Sequence, residues 1–209
     1  MGLNFIHTYQ SEHQTSLITQ IQNVVSLLCN TFFVIALLAL VIIAAYRKLN
    51  ATVFVCYIAI NAYIISVEKQ AFHDPRPFHY DQRIEALEWR CQKSFGFPSG
   101  HSWMSVLLYE PIISDMFGVH GIKKIALVVL ILTGVLVPLS RLYLGSHSSD
   151  QIVSGVLHSL AMLLLYRYYF QEKMFKLMTN CLKGNSRVAI FILNTIFLIL
   201  SMAAPLALY

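Results

Sequence analysis

Residues 24–46 read VVSLLCNTFFVIALLALVIIAAY, an apolar run without a charged side chain that stops at Arg47 and Lys48. About 20 residues of apolar helix cross the roughly 30 Å hydrocarbon core of a bilayer, so this run predicts a membrane-spanning helix. The whole chain agrees, because 57% of its 209 residues are hydrophobic, only 12% are charged and its mean hydropathy is +0.63. Soluble domains carry about a quarter charged residues. These numbers exclude a soluble, disordered or collagen-like chain and predict a protein that crosses the membrane several times.

Five more apolar runs follow the first one along the chain. They span residues 51–67, 102–117, 125–139, 151–170 and 188–208. The run over 102–117 is the weakest of them, because Glu110, Pro111 and Asp115 interrupt it. The sequence therefore predicts an all-α fold, in which residues 1–209 form one membrane-embedded domain built as a bundle of six transmembrane helices.

The polar segments outside these runs determine the predicted topology. Residues 1–20 have apolar side chains near helical spacing, which fits a short helix at the membrane interface; a disordered tail is the alternative. Lys and Arg are more frequent in the loops after the first, third and fifth helices, as is typical of cytoplasmic loops. The N-terminus and the polar stretch over 68–99 are then predicted on the opposite side. That side is the periplasm for a bacterial inner membrane, or the lumen for the endoplasmic reticulum.

The net charge and the cysteines limit the kinds of partner and cofactor that the sequence predicts. A net charge of +5 would point to nucleic acid in a soluble chain, but in a membrane protein it reflects the loops, and we predict no nucleic-acid partner. The four cysteines show neither a CxxC pattern nor metal-ligand spacing. We therefore predict no metal ion and no disulfide framework. The bilayer itself is the expected environment, and the oligomeric state is left open.

Three polar clusters stand at the ends of predicted helices, all on the predicted non-cytoplasmic side. The first holds Lys69 and Arg76, and Pro77 restricts the backbone of Arg76 to an extended form. Ionisable groups this close to hydrocarbon need a partner or a function. For such a pair taken alone, snorkelling anchors at a helix end are the simpler explanation.

The second cluster reads PSGH and directly precedes the third predicted helix. Ser99 is a favoured N-cap residue, and Gly100 allows a ligand to come close to the backbone. Free N–H groups at a helix N-terminus attract anions, and His101 would stand at the rim of such an anion site. A capped helix with an incidental histidine is the simpler alternative.

The third cluster, residues 140–151, reads SRLYLGSHSSDQ and joins the fourth and fifth predicted helices. Arg141 closes one helix and His147 lies just before the next, which Ser149 or Asp150 would cap. Taken together, the clusters offer three fixed cations, backbone amides and two histidines. That set suits in-line displacement at a phosphoryl group, with one histidine attacking and the other protonating the leaving oxygen.

The three clusters together match a known signature. K-x6-R-P, P-S-G-H and S-R-x5-H, at residues 69–77, 98–101 and 140–147, resemble the three-part signature of the type 2 phosphatidate phosphatase superfamily. The resemblance implies that His147 is a nucleophile that forms a phosphohistidine and that His101 is the general acid. It also implies catalysis without a metal or other cofactor, and it makes residues 68–99 part of the active site. The phosphate cradle implied by the resemblance consists of Lys69, Arg76, Ser99, Gly100 and Arg141.

One position departs from the family pattern. The family usually places Asp four residues after the nucleophilic histidine, whereas this chain has Gln151 there and Asp150 one residue earlier. Gln151 fits the spacing, and Asp150 would make the stronger, charge-assisted hydrogen bond to His147 but is rotated by about 100° on a helix. Both remain candidates, with spacing favouring Gln151. Gln at this position is reminiscent of the dolichyl-diphosphatase and glucose-6-phosphatase branches.

The expected function is an integral-membrane, metal-independent phosphatase for a lipid phosphate or a polyprenyl diphosphate, acting on the non-cytoplasmic face. Phosphatidate, phosphatidylglycerol phosphate, sphingoid phosphate and polyprenyl diphosphate all remain possible substrates. A lipid-linked phosphotransferase that uses the same site is the alternative enzyme. A transporter or inactive scaffold that only binds anionic lipid is the alternative from another class.

Overall fold

The computed structural model describes residues 2–45, 48–89, 94–116 and 122–181, together with positions 192, 195, 196 and 199. All regular secondary structure in these residues is helical, which confirms the predicted all-α class. The described α-helices are α1 (Gly2–His13), α2 (Ser16–Leu27), α3 (Thr31–Ala44), α4 (Lys48–Phe72), α5 (Pro77–Tyr80), α6 (Gly100–Leu107), α7 (Tyr109–Pro111), α8 (Ile122–Tyr143), α9 (Ser149–Leu165) and α10 (Gln171–Cys181). Two π-helical turns, Ile112–Met116 and Tyr166–Phe170, follow α7 and α9.

Three helical stretches of the described chain are long and apolar enough to cross a membrane. They are Leu49–Tyr80, Lys124–Tyr143 and Ser149–Asn180, and they contain the second, fourth and fifth predicted runs. A fourth candidate is the pair α2 and α3, which bends by 44°. The sixth predicted run, 188–208, lies outside the described residues apart from four isolated positions. Several apolar helices thus support a membrane protein, and the number of six spans stays a prediction.

The first apolar run, predicted as one helix over 24–46, is broken between α2 and α3. The side chain of Asn30 accepts a hydrogen bond from the backbone N–H of Phe32 at 3.1 Å and caps α3. Asn competes with helix continuation in this way because its short amide reaches nearby backbone groups. Hydropathy located the apolar segment but did not detect the cap inside it.

The third apolar run, 102–117, is divided into α6, α7 and the first π-helical turn. Pro111 lies in this stretch and lacks the N–H that a continuous helix would use. None of the resulting pieces is long enough to be a candidate span by itself. The backbone stays right-handed helical at the junctions Leu108 and Ile112, so the described segment is a helical stretch with a π-helical turn near the residues that weakened this run in the sequence.

The N-terminal segment is helical, so the alternative of a disordered tail is not what the structure shows. Ile6 of α1 is fully buried and packs with Ile84 and Leu142. Gln10 donates from its amide to the carbonyl of Tyr143 at 2.9 Å, which fastens α1 to the end of α8. The position of α1 at a membrane interface stays a prediction.

Helices α8 and α9 both pack closely against α6, and this contact brings the ends of distant segments together. Gly155 of α9 faces α6, and a Cβ at that position would lie 2.6 Å from the carbonyl oxygen of Ser99. Only glycine permits so close an approach of the two helices. On the other side of α6, the indole of Trp103 donates to Asn61 of α4 at 3.2 Å, which supplies a partner for this buried amide. The helix ends that carry the three polar clusters therefore meet at one end of the bundle.

Candidate active site

The first polar cluster is buried. Lys69, in the last turn of α4, is 5% exposed and donates from Nζ to the carbonyl of Phe95 at 2.6 Å. Arg76, the residue before α5, is 1% exposed and donates from Nε and Nη2 to the carbonyl and hydroxyl of Ser94 at 2.8 and 2.9 Å. A snorkelling anchor would extend its charge towards water. Both cations instead point into the protein, so the anchor explanation is wrong.

Arg76 connects the first cluster to the third. Its Nη1 donates to the carbonyl of Ser146 at 2.8 Å and lies 3.3 Å from Nε2 of His147. Because a guanidinium nitrogen only donates, Nε2 of His147 is the acceptor and carries a lone pair. Ser94, Ser146 and His147 are neutral partners, and their contacts fix the orientation of the guanidinium.

The imidazole of His147 is held at both ring nitrogens. Its Nδ1 lies 3.2 Å from Oε1 of Gln151, and the ring is 1% exposed. The structure thus brings Gln151 to the histidine, as the spacing favoured, whereas Asp150 is exposed on the first turn of α9 and makes no hydrogen bond to this ring. Ser148, and neither Ser149 nor Asp150 as predicted, is the N-cap residue of α9.

Burial lowers the pKa of His147 well below its ordinary value of 6.5, and the positive charges of Arg76, Lys69 and Arg141 lower it further. The ring is therefore neutral at neutral pH. A neutral imidazole with its lone pair on Nε2 is the form that can act as a nucleophile.

The second cluster lies at the N-terminus of α6, beside the first. Ser99 is the N-cap, with its Oγ accepting from the backbone N–H of Ser102 at 3.4 Å. The N–H of Ser99 donates to the carbonyl of Gln151 at 3.0 Å and ties the starts of α6 and α9 together. A Cβ on Gly100 would meet only ordinary contacts, the closest with Ile65 at 3.8 Å, so packing within the protein does not require glycine there.

His101 stands in the first turn of α6 and is the least satisfied of the site's side chains. Its Nε2 is buried and has no hydrogen-bond partner among the described residues. Burial lowers the pKa of His101 well below 6.5, and Arg141, Arg76 and Lys69 lower it further. The contact of Arg76 with His147 and the hydrogen bond from Ser99 to Gln151 show that the three clusters converge.

Arg141 is fully buried and is held by an ion pair that the sequence analysis did not anticipate. Its Nη1 and Nη2 donate to the two carboxylate oxygens of Glu88 at 2.9 and 2.8 Å, and Nη1 also donates to Ser26 at 2.6 Å. Ser146 donates to the same carboxylate at 2.9 Å. Nε of Arg141 is buried without a hydrogen-bond partner among the residues described. In the sequence, Glu88 was one of several mixed charges in a loop, and nothing in the local pattern singled it out.

The segment that carries Glu88 is itself fastened on both sides. The N–H of Leu87 donates to the carbonyl of Leu144 at 3.1 Å. Asn23 of α2 accepts from the N–H of Trp89 at 3.0 Å and donates to the carbonyl of Leu87 at 3.1 Å. The N-terminal helices therefore hold this loop against the end of α8, where Arg141 lies.

The chemistry of the assembled site is that of an anion receptor with two histidines. Within the described ranges, no three His, Cys, Asp or Glu side chains come together as a group that could hold a metal ion. Buried cations, a capped helix N-terminus and a neutral imidazole instead favour a negatively charged, tetrahedral ligand such as a phosphoryl group.

Comparison with known proteins agrees with this geometry. Neither the curated proteins nor the solved structures gave a match to this chain. A family model of the PAP2 superfamily matches residues 50–175, more than half of the chain, and the matched range includes all three clusters and the helices that carry them. The family match and the three converging clusters agree, and the chain belongs to the PAP2 superfamily.

Proposed function

We propose that this chain is an integral-membrane phosphatase that hydrolyses a lipid phosphate or diphosphate through a phosphohistidine on His147. PAP2 superfamily membership implies phosphatase or phosphotransferase activity on phosphate esters, and the apolar helices fit a membrane protein. The observation that carries the finer proposal is the arrangement of His147. Its Nδ1 faces Gln151 at 3.2 Å while Nε2 faces Arg76 at 3.3 Å, inside a buried cluster of cations.

In the proposed reaction, Nε2 of His147 attacks phosphorus as the bond from phosphorus to the leaving oxygen breaks. The bound dianion raises the pKa of His101, so this ring takes up a proton on substrate binding and gives it to the leaving oxygen. The neutral ring then takes a proton from the water that attacks the phosphohistidine. That second attack breaks the P–N bond and releases inorganic phosphate. The unpartnered Nε2 of His101 supports this role, because a buried polar atom without a partner is costly unless a ligand completes it.

The cradle for the phosphoryl oxygens consists of Lys69, Arg76 and Arg141, with the N–H groups that follow Ser99 at the start of α6. A unit charge at about 4 Å from a phosphoryl oxygen contributes roughly 4 kcal/mol at an effective dielectric constant near 20. Stabilisation of this size is what a slow phosphate-ester hydrolysis requires.

A lipid substrate is proposed because the site lies at the ends of apolar helices. Helix α8, which ends at Arg141–Tyr143, exposes a long series of large apolar side chains that includes Leu132, Val135 and Leu139. An amphiphile would keep its tail beside such a surface while its head enters the site. We place the site on the non-cytoplasmic face, following the loop charges, and Gln151 makes polyprenyl diphosphate the first substrate to test.

The test is a substrate panel on purified protein in EDTA, with the wild type compared with His147→Ala. The panel contains phosphatidate, phosphatidylglycerol phosphate, a sphingoid phosphate and a polyprenyl diphosphate. We expect inorganic phosphate from at least one of them and a loss of at least about a thousandfold in the variant, because the nucleophile is gone. His79→Ala is the matched control, since His79 is exposed in α5 and should leave turnover unchanged.

Three outcomes would change this assignment. Activity that requires added metal, or that survives His147→Ala, contradicts the phosphohistidine mechanism. Label from the substrate that appears on a lipid or sugar acceptor, and not as inorganic phosphate, identifies a phosphotransferase. Binding of anionic lipid with no turnover of any substrate, unchanged in the variant, identifies a transporter or scaffold.

A further inference from the structure

The side-chain amide of Gln151 stands between the imidazole of His147 and the carboxylate of Asp74. Oε1 lies 3.2 Å from Nδ1 of His147 and accepts from the backbone N–H of Ser148 at 3.2 Å. Nε2 donates to Oδ2 of Asp74 at 2.6 Å and to the carbonyl of Pro75 at 2.9 Å. An amide has two donor hydrogens and two acceptor lone pairs, so every hydrogen-bonding position of this 2% exposed side chain is occupied.

Only one orientation of the amide fits these partners. The N–H of Ser148 can only donate and must face the amide oxygen, whereas the carboxylate of Asp74 and the carbonyl of Pro75 only accept and must face the NH₂ group. Nδ1 of His147 also faces the oxygen, so Nδ1 carries the ring proton. The lone pair is then on Nε2, the atom that accepts from Arg76.

We propose that Asp74 is a positioning residue, which acts through Gln151 to set the tautomer and orientation of His147. This inference rests on the proposed function, in which His147 attacks through Nε2. The charge-assisted bond at 2.6 Å polarises the amide, which makes its oxygen a better acceptor for Nδ1–H. It also opposes rotation of the amide by 180°, which would present NH₂ to Nδ1 and place the ring proton on Nε2.

In the family pattern, the carboxylate that orients the histidine lies four residues after it. In this chain the proposed carboxylate, that of Asp74, comes instead from the segment before α5. Asp74 lies two residues before Arg76, and its carbonyl accepts from the N–H of Gly96 at 2.6 Å. Tyr80 donates to its other carboxylate oxygen at 3.5 Å. A Cβ on Gly96 would collide with the amide of Gln151, so the absence of a side chain there leaves the space in which the amide meets the carboxylate.

The decisive experiment exchanges the carboxylate and the amide between the two positions. Asp74→Ala removes the acceptor, and we expect kcat to fall by about 10–100-fold, the usual effect of losing a group that orients a catalytic histidine. KM should stay within about threefold, because Asp74 does not touch the substrate. Gln151→Glu, which keeps the length of the side chain, should also be impaired by itself, since two carboxylates then face each other across a hydrogen-bond distance.

In the double variant Asp74→Asn/Gln151→Glu, the amide is at position 74 and the carboxylate is at position 151, so one donor again faces one acceptor. The new amide at position 74 can donate to the new carboxylate at position 151, which still accepts from Nδ1 of His147. We expect the kcat of the double variant to exceed that of Gln151→Glu by at least about tenfold, a coupling that independent sites do not show. Asp81→Asn is the matched control, because this carboxylate lies in the same loop and pairs with Arg83.

A second readout does not depend on turnover. Nitrogen-15 NMR of histidine-labelled protein reports which ring nitrogen of His147 is protonated, with His147→Ala used to assign the signal. We expect Nδ1–H in the wild type and the Asp81→Asn control. In Asp74→Ala only Ser148, Pro75 and Arg76 still oppose the reversed amide, and we expect a detectable minor fraction of the Nε2–H tautomer.

The two readouts separate the two ideas. An Nε2–H tautomer in the wild type, or no gain in kcat of the double variant over Gln151→Glu, overturns the role of Asp74 even when His147→Ala abolishes turnover. Conversely, the expected tautomer shift together with turnover that survives His147→Ala keeps Asp74 as the orienting group and overturns the proposed nucleophile.

Discussion

The two buried arginines of the site, Arg76 and Arg141, are held in different ways. Arg76 is oriented by hydrogen bonds to neutral groups, which are Ser94, the carbonyl of Ser146 and the ring of His147. Arg141 is fixed by a bidentate ion pair, in which Nη1 and Nη2 donate to the two carboxylate oxygens of Glu88 at 2.9 and 2.8 Å.

This difference separates two kinds of phosphate contact. At Arg76, Nη1 lies beside Nε2 of His147, so a dianion placed for attack by this nitrogen also lies next to the guanidinium. At Arg141, the carboxylate of Glu88 already lies where a phosphoryl oxygen would bind the guanidinium and is only 9% exposed. A phosphate must displace that carboxylate or bind beside it through Nε of Arg141, and in both cases two like charges near one another oppose binding.

The largest effect is expected at Arg76. Arg76→Ala should lower kcat/KM by about a thousandfold, corresponding to the roughly 4 kcal/mol of a charge contact at about 4 Å. Arg76→Lys should recover only part of this, because lysine keeps the charge but cannot bridge Ser94, Ser146 and His147 at once. Kinetics on the preferred lipid phosphate measures both. Arg83→Ala is the control, as this exposed arginine pairs with Asp81 in the same loop.

A loss of less than about tenfold in folded Arg76→Ala would contradict the view that this arginine carries the principal charge contact. Far-UV circular dichroism and size-exclusion elution of the variant identify a folding defect. Arg76→Lys provides the comparison when the alanine variant does not fold.

The next effect is expected at Glu88. Glu88→Gln keeps an oxygen that can accept from Arg141 but removes the negative charge, so it should tighten the binding of tungstate, a tetrahedral dianion, by about tenfold, or about 1.4 kcal/mol. Isothermal titration calorimetry measures this change. Glu85→Gln is the matched control, because Glu85 is exposed in the same loop and pairs with Gln14. Unchanged or weaker binding in Glu88→Gln would show that the carboxylate does not oppose the anion.

The smallest effect is a change in protonation. Burial and the cations hold the pKa values of His101 and His147 below 6.5, so both rings are neutral in the free protein near pH 6.5. A bound dianion offsets the positive charge and raises both pKa values, so binding at that pH should take up protons and should strengthen as the pH falls. Tungstate titrations in two buffers of different ionisation enthalpy measure the uptake. Proton release would contradict the sign of this electrostatic coupling.

Several features were accessible from the sequence because they depend on local chemistry. The apolar runs identified a helical membrane protein, and the spacing of charged residues at helix ends identified Lys69, Arg76 and Arg141 as one set. The helix caps were harder to predict from the sequence. Asn30 caps α3 and Ser148 caps α9, but neighbouring residues have a similar N-cap propensity, so the sequence does not single them out.

The amino-acid sequence alone determined the helical class and the histidine and cation motifs, because hydrophobic length and residue spacing along one helix are local properties. Only the tertiary structure decided the partners of those motifs. Asp74 meets Gln151 across 77 positions and Glu88 meets Arg141 across 53 positions, and neither pairing leaves a periodic trace in the chain. Both pairings follow from the close crossing of α6 and α9 and from the position of the loop that carries Glu88. These tertiary contacts bring helix ends together, and no local sequence pattern specifies them.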